Sequence, residues 1–159
     1  MIFDDFKNFA KQIDVKGRII GLDVGRKNIG VALSDRDKNI ATPKFILKRK
    51  STLKDLQILK KFIEENNVCA IVSGIPLNSN GNEVNNCKYI VDFVKKLDEI
   101  VNMPIFFENE FLSSFMVEDM FIDEMGVSYK NTKNVVDKSA AAIILQSTLE
   151  RLKTHINKT

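Results

Sequence analysis

The 159 residues include one histidine (His155), two cysteines (Cys69 and Cys87), three prolines and no tryptophan. The cysteines sit in different segments and form no CxxC pair, so neither a disulfide scaffold nor a structural zinc site has the ligands it needs. A Ser-His-Asp triad has little to build on when the one histidine stands near the C-terminus. Glycine and proline together number ten, too few for a collagen-like or low-complexity chain. No apolar run approaches ~18 residues and no secretory leader is visible, so a soluble, cytoplasmic protein without a membrane partner is expected. Any chemistry must then rest on carboxylates, hydroxyls, lysines or a bound metal.

The chain is 44% hydrophobic, enough for a real core, and its length suits one domain. The net charge of +3 is too small to argue for a nucleic-acid partner. Its distribution says more. Between Lys44 and Lys61 stand seven basic residues and one acid, Asp55, whereas Leu97 to Tyr129 holds eight acids and no lysine or arginine. A basic surface beside an acidic centre is the layout of a metal-dependent enzyme acting on phosphodiesters.

Residues 1–16, with Phe3, Phe6, Phe9 and Ile13 at helical spacing, predict a short amphipathic extension. RIIGLDVG (18–25) and IGVALSD (29–35) are β-branched runs joined by Arg26-Lys27-Asn28, which predicts an antiparallel hairpin. A third strand follows over 41–50, a helix over 52–66, and a buried strand over 68–76. A second helix is predicted over 87–100, a buried strand over 104–111, and a helix over 116–125. A polar loop is expected over 126–134 and an Ala-rich helix over 135–153, with 154–159 as a polar tail. Three strands followed by alternating helix and strand predict a mixed α/β sheet covered by helices, with 17–153 as its single domain.

Asp23 stands inside an apolar strand, where an ionised side chain is costly to bury and no cation adjoins it on its own strand face. Gly21 and Gly25 beside it leave room for a ligand or another backbone. Glu110 closes the strong strand at 104–111, with Glu108 two residues earlier on the same face. Asp137 opens the last helix just before Ala140-Ala141-Ala142, and a first-turn carboxylate also complements the helix dipole. Three such carboxylates can converge on one or two ions. Oxygen ligands suit Mg²⁺ or Mn²⁺, with Asp35, at the end of the second strand, as an accessory ligand. Ser34 and Ser73 have no nearby base and are expected to be structural. Asn78, in the turn-rich loop 74–81, can help hold phosphate, as can Lys27; Lys48, Arg49 and Lys50 are candidates for backbone contact.

The sequence resembles the YqgF family, also called RuvX, of Holliday junction resolvases and pre-16S rRNA nucleases. The likeness runs from about Arg18 to Arg151 in four ordered blocks: GLDVGRKNIGVALSD (21–35), IVSGIPLNSNGNE (71–83), ENEFLSS (108–114) and VDKSAAAIILQSTLE (136–150). The resemblance implies an RNase H-like fold with a five-stranded mixed sheet, its first three strands antiparallel. It also implies divalent-metal hydrolysis of phosphodiesters with Asp23, Glu110 and Asp137 as catalytic residues. Maturation of the 5′ end of 16S rRNA is the implied role, and branched DNA the older suggestion. Association with a ribosomal subunit and a monomeric or weakly dimeric state go with that expectation. The third block departs from the family's DERLTT: Asn109 replaces an aspartate and Phe111 an arginine, which removes a phosphate-binding cation or an ion-pair partner.

Two other classes compete. DxGxxxxG is also similar to the phosphate motif of actin-like ATPases, but those need two domains and a second motif, for which 159 residues leave no space. A ribosome-assembly factor that binds RNA without cutting it is the other, favoured by Phe111.

Overall fold

Strands buried on both faces read as unbroken apolar runs, and RIIGLDV and VCAIVSGI are such runs. They lie side by side at the middle of the sheet. The computed structural model describes residues 1–76, 87–109 and 129–157, without the side chains of 129–139, 156 and 157. In chain order the elements are β1 (Ile2–Phe3), α1 (Phe6–Lys11), β2 (Arg18–Val24), β3 (Asn28–Ser34), β4 (Ala41–Lys48) and α2 (Thr52–Glu65). Then follow β5 (Val68–Ile75), α3 (Lys88–Ile100), β6 (Ile105–Asn109) and α4 (Tyr129–Asn157).

The strands form one sheet in the order β1-β6-β5-β2-β3-β4. β3 runs antiparallel to both β2 and β4, while β5, β6 and β1 run parallel to β2. This is the mixed α/β class expected, with six strands among the described residues rather than five. The extra strand is β1, which pairs with β6 through Ile2 and Phe3 and is tied by the Ile105 N–H to the Met1 carbonyl at 2.8 Å. Two residues are too few to show an alternating pattern, which is why residues 1–16 read as helix throughout. Only Phe6–Lys11 is helical, with the Asp5 side chain accepting from the Lys7 N–H.

Helices α2 and α3 cover one face, over Leu22, Val31, Ile71 and Ile105. Helices α1 and α4 cover the other, where Phe9, Ile19, Val72, Phe106, Leu145 and Leu149 form the second core. Phe9 is wholly buried and stacks on Phe106, so the extension is part of the core. α4 begins at Tyr129 and ends at Asn157, longer at both ends than expected: the polar stretch from 129 is helical, and 154–157 continue the helix. The expected helix over 116–125 and Phe111 lie outside the described residues.

The direction of α4 follows from its ends. Leu152, Lys153 and His155 line a cavity with Asp14, Val15 and the β3–β4 turn, which is where β2 begins. The helix therefore runs antiparallel to β2, and its earlier turns rise toward the end of β2 that carries Asp23. Gly21 makes the close crossing: a Cβ there would lie 2.7 Å from the Leu145 Cβ and 2.8 Å from the Ala141 carbonyl.

Candidate active site

The β2–β3 hairpin turns tightly over Arg26 and Lys27. The Gly25 N–H donates to the Asn28 carbonyl at 2.8 Å, and a Cβ at Gly25 would come within 2.7 Å of that oxygen. Asp23 pairs with Gly30 across the hairpin, so the half-buried carboxylate stands opposite a position with no side chain. By strand alternation it shares the α4 face with Gly21. Together with Gly25, Arg26, Lys27, Asn28, Gly30, Ile46 and Tyr89 it lines an open cleft of about 460 Å³.

Cations gather at this end of the sheet. Lys48 pairs with Asn28 in the β3–β4 register, and the Arg49 N–H donates to the Lys27 carbonyl at 2.8 Å. Lys27, Lys48 and Lys50, which the sequence placed near a phosphate backbone, are thus exposed beside the cleft. Arg49 does something else. Its Nε donates to the buried carboxylate of Asp55 at 3.2 Å, its Nη1 to the Gly25 carbonyl at 3.3 Å, and its guanidinium lies 4.8 Å over the Phe93 ring. It braces the hairpin turn from behind and is not directed at solvent. The sequence did not single out Tyr89, which comes from the first turn of α3 and holds the Arg26 guanidinium 4.6 Å over its ring. Residues 63 positions apart leave no local pattern for such a contact.

Asp35 is not at this site. β3 is antiparallel to β2, so its last residues lie where β2 starts, about 16 Å along the strands from Asp23 at ~3.3 Å per residue. There its Oδ1 accepts the N–H groups of Asn39 and Ile40 at 2.8 and 3.0 Å and closes the β3–β4 turn. The Ile40 N–H, above all, holds this carboxyl below the usual aspartate range, helped by Asn39 and Lys153. This removes it from any centre built on Asp23. Ser34 and Ser73 are structural as expected: Ser34 Oγ accepts from the Ile19 N–H at 2.8 Å, and Ser73 is buried.

Glu110 follows β6 immediately and lies outside the described residues, as does Asn78. Asp137 belongs to the turn of α4 just before Ala141, but its side chain is outside them too. Among the described residues no three Asp, Glu, His or Cys side chains come together. The strand that precedes Glu110 in the chain is described. Leu22, Ser73 and Phe107 share a row across β2, β5 and β6, so Glu108 lies level with Asp23, with Gly74 between. Glu108 is buried, accepting from Thr148 Oγ1 at 3.0 Å and Arg151 at 2.9 Å, which fastens the carboxyl end of β6 to α4. The donor chemistry in the cleft is oxygen, with no sulfur or imidazole among its described lining. That suits a hard divalent cation.

The family model for RuvX, described as Holliday junction resolvase, matches residues 17–151. A candidate pre-16S rRNA nuclease of Caldanaerobacter subterraneus subsp. tengcongensis is 37% identical over 136 residues, covering 86% of this chain and 98% of that protein. One from Natranaerobius thermophilus is 41% identical over 134 residues, 84% of this chain and 94% of that protein. Among solved structures, T. thermophilus RuvC in complex with Holliday junction substrate matches with a TM-score of 0.54 at 10% identity, over 86% of this chain and 96% of that one. The yeast mitochondrial Holliday junction resolvase Ydc2 matches with a TM-score of 0.52 at 12% identity, over 96% of this chain and 88% of that one. At these identities the two structures speak for the fold, which is RNase H-like. By the match of 17–151 and by its curated relatives, this chain belongs to the RuvX (YqgF) family.

Proposed function

We propose that the phosphodiester bond cut by this nuclease lies in structured RNA, at the 5′ end of precursor 16S rRNA in the cytoplasm, and that Mg²⁺ or Mn²⁺ is held by Asp23, Glu110 and Asp137. The observation that carries this reading is Asp23, at the carboxyl end of the central strand, in a cleft edged by Arg26, Lys27 and Asn28. The names of the curated relatives supply the precursor 16S rRNA, and the family resemblance supplies its 5′ end. A divalent ion held by Asp23, Glu110 and Asp137 would supply Lewis-acid activation of water and charge neutralisation at the leaving oxygen. The chain's own part is to fix the geometry. Arg49 braces the turn below the cleft, Gly30 leaves space opposite Asp23, and Arg26, steadied on Tyr89, and Lys27 meet the phosphate backbone. Association with the ribosomal subunit belongs to the same reading.

Purified protein is to be incubated with Mn²⁺ and either precursor rRNA or a four-way DNA junction. Cleavage of the RNA that falls at least ~100-fold in Asp23→Asn is the expected result. Cleavage of the junction alone moves the substrate to branched DNA, and RNA binding without any cleavage supports the assembly factor.

A further inference from the structure

A second cavity, of about 340 Å³, opens at the far end of the sheet from Asp23. That is within the roughly 300–1,000 Å³ of small-ligand sites. Three segments build it: the end of α1 with the link to β2, the β3–β4 turn, and the last turns of α4. Two of its walls, residues 10–15 and 152–155, lie outside the stretch that the RuvX family model matches.

Its chemistry is two-sided. Lys11, Arg36, Lys38 and Lys153 stand around it against two acids, Asp14 and Asp37. Lys38 donates to the Val15 carbonyl at 2.9 Å, which ties the turn to the β2 link. The floor is apolar, formed by Ala10, Ile13 and Leu152, with the His155 ring held edge-on by Phe6 at 6.1 Å. A cationic rim over an apolar floor fits a ligand with a phosphate at one end and a flat, weakly polar body at the other.

We infer that this cavity is a second RNA contact, taking one unpaired nucleotide of a single-stranded segment. Its phosphate lies toward Lys11, Arg36 and Lys153 and its base on Ile13 and Leu152. The inference rests on the RNA reading above. It adds that the substrate carries a single-stranded tail long enough to reach from the cleft to the opposite end of the sheet, about 16 Å away along β2.

Fluorescence anisotropy of a labelled oligouridylate, measured in EDTA over a range of salt, tests the site without any cleavage. Lys11→Ala/Lys153→Ala, both at exposed positions, is expected to weaken binding about tenfold at low salt. It should also lower the log–log salt slope by about 0.7, the value for one phosphate contact on a single strand. A matched RNA duplex should lose much less, and the unfolding midpoint should stay in place. Unchanged oligouridylate affinity and slope in the double variant overturns the site, and so does wild-type protein that binds no oligouridylate. The Mn²⁺ assay reads the nuclease separately: loss of that activity with Lys11- and Lys153-dependent binding intact removes the nuclease reading and leaves this site standing.

Discussion

Arg49 and Lys48 are neighbours in a basic run, yet the fold gives them different work. Arg49 is closed in by Asp55, the Gly25 carbonyl and Phe93, while Lys48 is exposed beside the cleft. Removing one partner of a buried ion pair leaves the other charge uncompensated, at about 3 kcal/mol or more. Arg49→Ala should therefore lower the urea midpoint strongly, whereas Lys48→Ala should stay within about 0.5 kcal/mol of wild type and weaken RNA binding instead. Equal effects of the two on stability would contradict the brace. A sequence cannot separate these roles, because the partners of Arg49 come from the β2–β3 turn, α2 and α3. For Asp35 the information was present: the predicted hairpin already puts the end of β3 opposite the start of β2, away from Asp23. Its carboxyl is lowered in the folded chain, so its stabilisation is full above the ordinary aspartate range and is lost as pH falls through the lowered value. Urea midpoints of wild type and Asp35→Asn should accordingly differ near neutrality and converge toward low pH, by a modest amount because the group is exposed.

β2 through β6 and helices α2 and α3 were legible because each is a strong periodic or apolar run bounded by turn residues. β1 was too short to read, and α4 outran its expected start because Tyr129 to Asn134 is polar and its helicity leaves no apolar stripe. The alignment of α4 with the sheet depends on Gly21, at the crossing with Ala141 and Leu145. Gly21→Ala should cost about 1–3 kcal/mol by overpacking. The helix that carries Asp137 should shift with it, so activity should fall further than stability alone explains. That is checked by comparing thermal unfolding with the cleavage rate well below the melting temperature. Wild-type activity in Gly21→Ala would show that helix placement does not govern the site.

At the scale of the whole molecule, a small net charge conceals a strong separation. Lysines and arginines border the cleft end of the sheet and the cavity at its other end. Of the acids between 97 and 129, Asp98 pairs with the N-terminal amine and Glu108 locks β6 to α4. The fold, the family and the position of Asp23 could be read from residues and the ordered blocks. The brace on the turn, the Tyr89 contact and the second cavity could not, since each is made by segments far apart in the chain. The central claim is that Asp23 shares a divalent ion with Glu110 and Asp137. A crystal soaked in Mn²⁺ and measured for its anomalous signal tests it most directly. The account predicts a peak in the cleft with oxygens of all three carboxylates at about 2.0–2.3 Å; a peak elsewhere, or carboxylates too far apart to share it, would contradict it.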